Sequence, residues 1–67
     1  MQTVNTLLNE SAAAELLDVA PQTLRGWRRE GFGPPFVRLG RQRGVRYRQS
    51  DLEKYIQARL VTPRVPV

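Results

Sequence analysis

The sequence predicts a mixed α+β fold that is mostly helical: a helix-turn-helix, a β-hairpin wing and a C-terminal helix. Three observations lead to this prediction. Two short segments with helical apolar spacing are separated by a three-residue break, apolar and basic residues alternate between positions 37 and 48, and another amphipathic segment follows. We expect one domain over residues 1–67, with an ordered core over about residues 7–60 and a tail over 61–67.

The first helix is predicted over about Glu10–Leu17. Asn9 is a suitable N-cap, and Glu10 lies in the first turn, where the helix dipole favours an acidic side chain. The helical spacing predicts one apolar stripe facing the core. This stripe comprises Ala13, Leu16 and Leu17, with Ala12 at its margin.

The second helix is predicted over Pro21–Glu30, after a turn over Asp18–Ala20. Proline suits the first position of a helix because its missing N–H is not needed there. Gly31 suits the position that follows the last helical turn. Leu24 and Trp27 are three residues apart and are expected to face the core together, rather than Trp27 stacking on a nucleic-acid base.

A rigid connector, Phe32–Pro35, precedes the predicted hairpin. The hairpin loop is expected over Gly40–Gly44. Period-two alternation predicts one apolar face toward the core and one arginine face toward solvent. The apolar face comprises Val37, Leu39, Val45 and Tyr47, and the Tyr47 hydroxyl is a further candidate for a phosphate contact.

The third helix is predicted over Asp51 to about Leu60. Ser50 and Glu53 have the spacing of a capping box, which explains the nearby carboxylates without a catalytic role. Its buried stripe is expected to comprise Leu52, Tyr55 and Ile56.

Composition excludes most chemical functions. The chain has no histidine and no cysteine, so we expect no catalytic residues, no metal site, no cofactor and no enzymatic activity. The net charge is +5, and Lys54 is the only lysine among the 11 basic residues. Arginine suits phosphate oxygens and guanine edges, so the composition favours nucleic acid as the partner. No membrane span or signal peptide is visible, and we expect a cytoplasmic protein.

The second helix carries the first group of candidate DNA-binding residues. Gln22 has the donors and acceptors that recognise adenine, and Arg25 or Arg29 has the fork that recognises guanine. Arg28 is expected nearer the flank, on a phosphate. The alternative is an ordinary solvated helix surface. The full set on this helix is Gln22, Thr23, Arg25, Gly26, Arg28 and Arg29.

The hairpin carries the second group. Its arginines have no acidic residue among them, a density of charge that is favourable beside a polyanion. The alternative is a soluble edge that prevents strand-to-strand aggregation, and Arg46 and Arg48 have a further alternative in pairing with nearby acids. The candidates are Arg38, Arg41, Gln42, Arg43, Arg46 and Arg48.

Taken together, these motifs resemble the small MerR-like winged helix-turn-helix proteins, which include excisionases (recombination directionality factors) and AlpA-type regulators. The resemblance covers about residues 7–58 and rests on Leu8-Asn9, Ala12-Ala13, Leu16-Leu17, Val19, Thr23-Leu24, Trp27-Arg28, Glu30-Gly31, Gly33–Pro35, Val37–Gly40, Val45–Tyr47 and Ser50–Leu52. It implies double-stranded DNA as the partner, with the second helix in the major groove and the wing in the adjacent minor groove. It also implies cooperative binding of several copies to tandem sites and bending of the DNA.

Three positions depart from the family pattern. Asp18 replaces a frequent glycine of the turn, Ala20 replaces a Ser or Thr cap, and Gly26 replaces a long side chain. The expected function is that of an excisionase that assists a tyrosine or serine integrase, because the chain is short and carries no effector domain. The alternatives are a small transcriptional regulator of mobile-element genes and, in a different class, a protein-interaction adaptor with a basic face.

Overall fold

The structure is a computed structural model that describes residues 5–41 and 44–64. Within these residues, three helices and a three-stranded antiparallel sheet form a mixed, mostly helical fold, as the sequence predicts. The elements in chain order are β1 (Leu7–Leu8), α1 (Glu10–Leu17), α2 (Pro21–Glu30), β2 (Val37–Arg38), β3 (Val45–Arg48) and α3 (Gln49–Ala58).

The first two helices have the predicted bounds because local sequence signals mark their ends, and Pro21 marks the start of α2. The Asn9 side chain accepts a hydrogen bond from the Ala12 N–H at 2.8 Å. Asp18 ends α1 in the left-handed region (φ 59°), which Asp tolerates better than most residues. Gly31 ends α2 in the same region (φ 86°). Ala20 caps α2 without a side-chain hydrogen bond, as expected for an alanine at this position.

The sheet contains one strand that the sequence does not predict. Its strand order is β1-β3-β2, so the short strand β1 pairs with the central strand β3. Leu7 lies opposite Arg48, and Leu8 lies opposite Tyr47. Two adjacent leucines show no alternation, and only their pairing with β3 makes this segment a strand.

The predicted apolar face of the hairpin is wrong for its first strand. Val37 lies opposite Arg46 and Arg38 lies opposite Val45, and residues directly opposite each other share a face. The Leu39 N–H donates to the Gly44 carbonyl at 2.8 Å, whereas a loop over residues 40–44 would pair Leu39 with Val45. This one-residue difference turns every side chain of β2 to the other face.

The third helix begins and ends two residues earlier than predicted, and the predicted capping box is absent. Residue 48 belongs to β3 and the helix begins at Gln49, because the chain passes directly from the sheet into the helix. The Gln49 N–H donates to the Thr6 carbonyl at 2.9 Å. The Ser50 hydroxyl accepts a hydrogen bond from the Asn5 side chain at 2.9 Å instead of capping the helix.

The core lies between α1, α2, β3 and α3. Its fully buried apolar side chains are Ala13, Ala14, Leu24, Tyr47 and Leu52. Partly buried Leu8, Leu17, Val19, Trp27 and Val45 pack around them. Two predicted core residues are wrong, since Leu16 is 38% exposed and Ile56 is 43% exposed.

The reason for the Leu16 error is visible in α1. This helix turns its two small residues, Ala13 and Ala14, toward the core rather than Leu16. Alanine at the contact lets neighbouring backbones approach closely, and this allows α2 and β3 to pack against the same short helix. None of the helices described is long and apolar enough to cross a bilayer.

Two glycines give opposite predictions for the same substitution. A Cβ on Gly26 in α2 meets nothing within 4 Å, so we expect Gly26→Ala to raise the free energy of unfolding by about 1 kcal/mol. Gly33 has φ +100°, and a Cβ added there would lie 3.1 Å from the Trp27 Cβ. Gly33→Ala should therefore lower the free energy of unfolding by more than about 1 kcal/mol. Urea denaturation of both variants measures the difference, and equal effects would contradict this assignment.

Candidate nucleic-acid interface

One side of α2 is open to solvent along its whole length. Gln22, Arg25 and Arg29 are exposed there, with Gly26 between them. Positions i, i+3, i+4 and i+7 of a helix lie on one face, so these four residues form a continuous surface, here called the outer face of α2. Thr23 is exposed beside it. The structure therefore brings together five of the six residues predicted on this helix.

The opposite side of α2 fixes the helix to the rest of the fold. Leu24 is completely buried. Trp27 is partly buried, and its ring lies 6.1 Å from Phe32 and 6.3 Å from Tyr55 between centroids. These are ordinary aromatic packing distances, so Trp27 serves as a packing residue, as expected. The outer face is thus presented by a helix with a well-anchored inner side.

The sixth residue, Arg28, departs from expectation. Its side chain is only 18% exposed, and its NH2 group donates to the Glu10 carboxylate at 2.9 Å. This hydrogen bond raises the pKa of Arg28 above its usual value, against the opposing effect of burial. The guanidinium also lies 5.7 Å from the Phe36 ring centroid. These internal contacts argue against the phosphate contact predicted for Arg28.

Tyr47 is likewise too buried for its predicted alternative role. It is 1% exposed, so its hydroxyl cannot reach a phosphate at the surface. Burial raises the pKa of Tyr47, and the nearby Arg28 guanidinium opposes part of that increase. Its hydroxyl has no hydrogen-bond partner among residues 5–41 and 44–64. Tyr47 is a core residue beside the partly buried guanidinium of Arg28.

Glu10 joins α1 to α2 and is the site residue that the sequence does not reveal. One carboxylate oxygen accepts from Arg28, and the other accepts from the Arg25 Nε at 3.2 Å. Arg25 is 15 residues from Glu10 in the chain, and Arg28 is 18 residues from it. The sequence offers a simpler explanation for Glu10, because an acidic residue is favourable in any first helical turn.

The register of β2 and β3 places Arg46 and Arg38 on opposite faces of the wing, which comprises residues 37–48. Arg46 is partly buried and donates to the Val45 carbonyl at 2.9 Å. Arg38 lies on the other face, exposed, with its guanidinium 5.5 Å from the Phe36 ring centroid. Arg41 is exposed in the loop. Gln42 and Arg43, also predicted to contact DNA, lie outside the described residues.

Arg48 pairs with a nearby acidic residue, which is the alternative to a DNA contact that the sequence left open. Its Nε and NH2 groups donate to the two Asp51 carboxylate oxygens at 2.6 Å and 3.1 Å. These bonds raise the pKa of Arg48. Asp51 itself is 8% exposed, so the pair joins the end of β3 to the first turn of α3. Arg46, by contrast, has no carboxylate partner in the described part of the chain.

The N-terminus of α1, Arg28 and the wing border one polar cleft of about 330 Å³. Glu10, Arg28 and Arg46 all line this cleft. The cleft thus places the helix-turn-helix beside the wing. The helix-turn-helix and the wing each carry arginines that have no carboxylate partner among the described residues. These are Arg29 on α2, and Arg38, Arg41 and Arg46 on the wing.

The two neighbouring arginines of α2 provide a matched test of these roles. Arg28→Ala should lower the free energy of unfolding by about 1–3 kcal/mol, because it removes a charged hydrogen bond from a mostly buried site. Arg29→Ala should change it by less than about 0.5 kcal/mol, because that side chain is exposed. Thermal or urea denaturation distinguishes the two variants, and equal losses would contradict the internal role of Arg28.

Comparison with known proteins agrees with this geometry. Residues 7–60, which include all the described helices and strands, match the family model of a helix-turn-helix domain. Searches of curated proteins and of solved structures returned no match. The matched segment covers α1, the turn and α2, and also the wing and α3. The chain therefore belongs to the helix-turn-helix domain family, which includes excisionase-like small DNA-binding proteins, and its partner is double-stranded DNA.

Proposed function

We propose that this protein reads a specific DNA sequence by placing the outer face of α2 in the major groove. The observation that carries the proposal is that Gln22, Arg25 and Arg29 share one exposed face of a helix whose opposite side is buried. A helix fits the major groove of B-DNA, and base edges there distinguish all four base pairs. Glutamine and arginine are the side chains that recognise adenine and guanine by paired hydrogen bonds.

The wing supplies the second part of the proposed interface. Arg38 and Arg46 lie on opposite faces of the hairpin, and Arg41 lies in its loop. A hairpin with cations on both faces is suited to a groove, where phosphates line both walls. We assign the wing to the minor groove or backbone beside the site of α2. These contacts add affinity and position the protein without reading the sequence.

Salt dependence and a matched set of arginine variants test this assignment. For about six phosphate contacts, the logarithm of the affinity should fall with the logarithm of salt concentration with a slope of about −5. Arg25→Ala or Arg29→Ala should cost about 1–3 kcal/mol at the preferred sequence and relax the preference there. Arg41→Ala should weaken binding to all duplexes and make the slope less steep by about 1. Fluorescence anisotropy with labelled duplexes measures all three quantities.

Arg59→Ala is the control, because it removes the same charge from a different surface. The Arg59 guanidinium stacks 3.6 Å from the Tyr55 ring centroid, at a groove shared with Trp27 on the inner side of α2. It should bind DNA nearly as the parent does. A flat salt dependence, or equal effects of Arg25→Ala and Arg59→Ala, would favour the adaptor hypothesis over DNA reading.

For the biological role, we propose an excisionase. The sequence resemblance supports this role, and the matched family includes excisionase-like proteins. Several copies would bind tandem sites cooperatively, bend the DNA and assist a tyrosine or serine integrase. A small regulator of mobile-element transcription uses the same interface. Either role places the protein in the cytoplasm with the nucleoid, where its duplex partner is found.

Footprinting on the DNA that flanks the native gene separates the two roles. An excisionase should protect adjacent sites within an attachment sequence, shift circularly permuted fragments as bent DNA does, and raise excision by the integrase. Protection over a promoter alone, without an effect on excision, would replace the excisionase role by transcriptional regulation. A mutated duplex that lacks the protected sequence is the control.

A further inference from the structure

Glu10 is the one carboxylate that contacts the outer face of α2 in the described part of the chain. It lies in the first turn of α1, and its oxygen Oε1 accepts from the Arg25 Nε at 3.2 Å. A carboxylate beside a DNA-binding surface repels phosphates. Its presence there therefore reduces affinity for DNA in general, unless it also improves a specific contact.

The geometry of the Arg25 contact leaves its recognition edge free. Glu10 engages only Nε, and the two terminal NH2 groups have no hydrogen-bond partner among residues 5–41 and 44–64. A guanidinium has several donors in a fixed planar arrangement, so one edge can bind a carboxylate while another binds a base. The Arg25 side chain is 54% exposed despite this contact.

Glu10 is itself held in place from the opposite side. Its second oxygen, Oε2, accepts from the Arg28 NH2 group at 2.9 Å, and both of these side chains are only 18% exposed. The Arg28 guanidinium in turn lies 5.7 Å from the Phe36 ring centroid and close to the buried Tyr47. The order of contacts runs from the core through Arg28 and Glu10 to Arg25.

We propose that Glu10 is a positioning residue that orients Arg25 so that its two terminal NH2 groups point outward for paired hydrogen bonds to a guanine. This inference rests on the proposed reading of DNA by α2. Holding a long side chain before binding reduces the rotamer entropy lost in the complex, so the gain is specific to the base that Arg25 reads. Glu10 contributes to specificity and not to general affinity.

The opposite interpretation is that Glu10 sequesters Arg25 from DNA. The two interpretations predict different effects on DNA binding when Glu10 is removed. Without a positioning carboxylate, the preference for one guanine falls, while affinity for unrelated DNA stays equal or rises because a negative charge is removed. Without a sequestering carboxylate, affinity rises for every duplex by the same factor.

A double-mutant cycle between Glu10 and Arg25 tests the proposal. The preferred duplex is first selected from a randomised pool, and the guanine read by Arg25 is the position at which Arg25→Ala reduces the preference most while leaving a measurable remainder. Glu10→Gln should reduce the preference for that guanine about tenfold, with no loss of affinity for unrelated DNA. In the Arg25→Ala background, Glu10→Gln should cause no further loss of preference, because neighbours in one network are not additive.

Glu15→Gln is the matched control. It removes the same charge from an exposed position of the same helix and should leave the preference unchanged. If Glu10→Gln does not fold by circular dichroism, Glu10→Asp is used, because the shorter side chain keeps the charge but cannot reach both arginines. It should cause the same selective loss of preference.

Three outcomes would overturn the inference: equal changes for preferred and unrelated duplexes, multiplicative losses in the cycle, or an equal effect of Glu15→Gln. The proposed function fails differently. If the parent protein selects no sequence and binds duplexes without salt dependence, DNA reading by α2 is wrong. If the parent selects a sequence but the cycle shows no coupling, only the role of Glu10 is wrong.

Discussion

The guanidinium of Arg28 lies where the helix-turn-helix meets the sheet. It is bound by Glu10 of α1, lies beside the buried Tyr47 of β3, and faces the Phe36 ring that precedes β2. A mostly buried cation is stable only with a partner of opposite charge and good geometry. Its pairing with Glu10 therefore joins α2 to α1, the helix against which β3 of the wing packs. The relation between the outer face of α2 and the wing depends on this contact.

The chain uses one residue type for two physical purposes. Arg28 and Arg48 are paired with carboxylates and hold elements together, at the α1–α2 contact and at the junction of β3 and α3. Arg29, Arg41 and Arg46 have no such partner among the described residues. Net charge alone does not separate these groups. The separation arises because the few acidic residues are placed next to particular arginines, and the others remain available to an anion.

Local signals in the sequence predict the bounds of α1 and α2, whereas contacts between distant segments are not visible in it. A proline, a glycine and an Asn cap act within a few residues of their helix ends, so the sequence displays them directly. Which side chains share a face of the hairpin depends on the pairing of Leu39 with Gly44. A register error of one residue there turns the side chains of β2 to the opposite face. The predicted capping box at Ser50 does not form, because the Ser50 hydroxyl instead accepts a hydrogen bond from Asn5, 45 residues away. The pairing of Glu10 with Arg28 was hidden for the same reason.

Gly26 connects the energetics of the fold with the proposed function. Glycine in a helix interior is unfavourable by about 1 kcal/mol relative to alanine, and no neighbouring atom requires its small size here. Its backbone is also in an ordinary helical conformation, unlike that of Gly33. Internal packing therefore gives no reason for this residue. On the proposed function, the reason lies outside the chain: a missing side chain between Gln22 and Arg29 lets the α2 backbone approach the floor of the groove. In the proposed complex, the shorter side chain of Gln22 would then reach the same base edges as the longer Arg25 and Arg29.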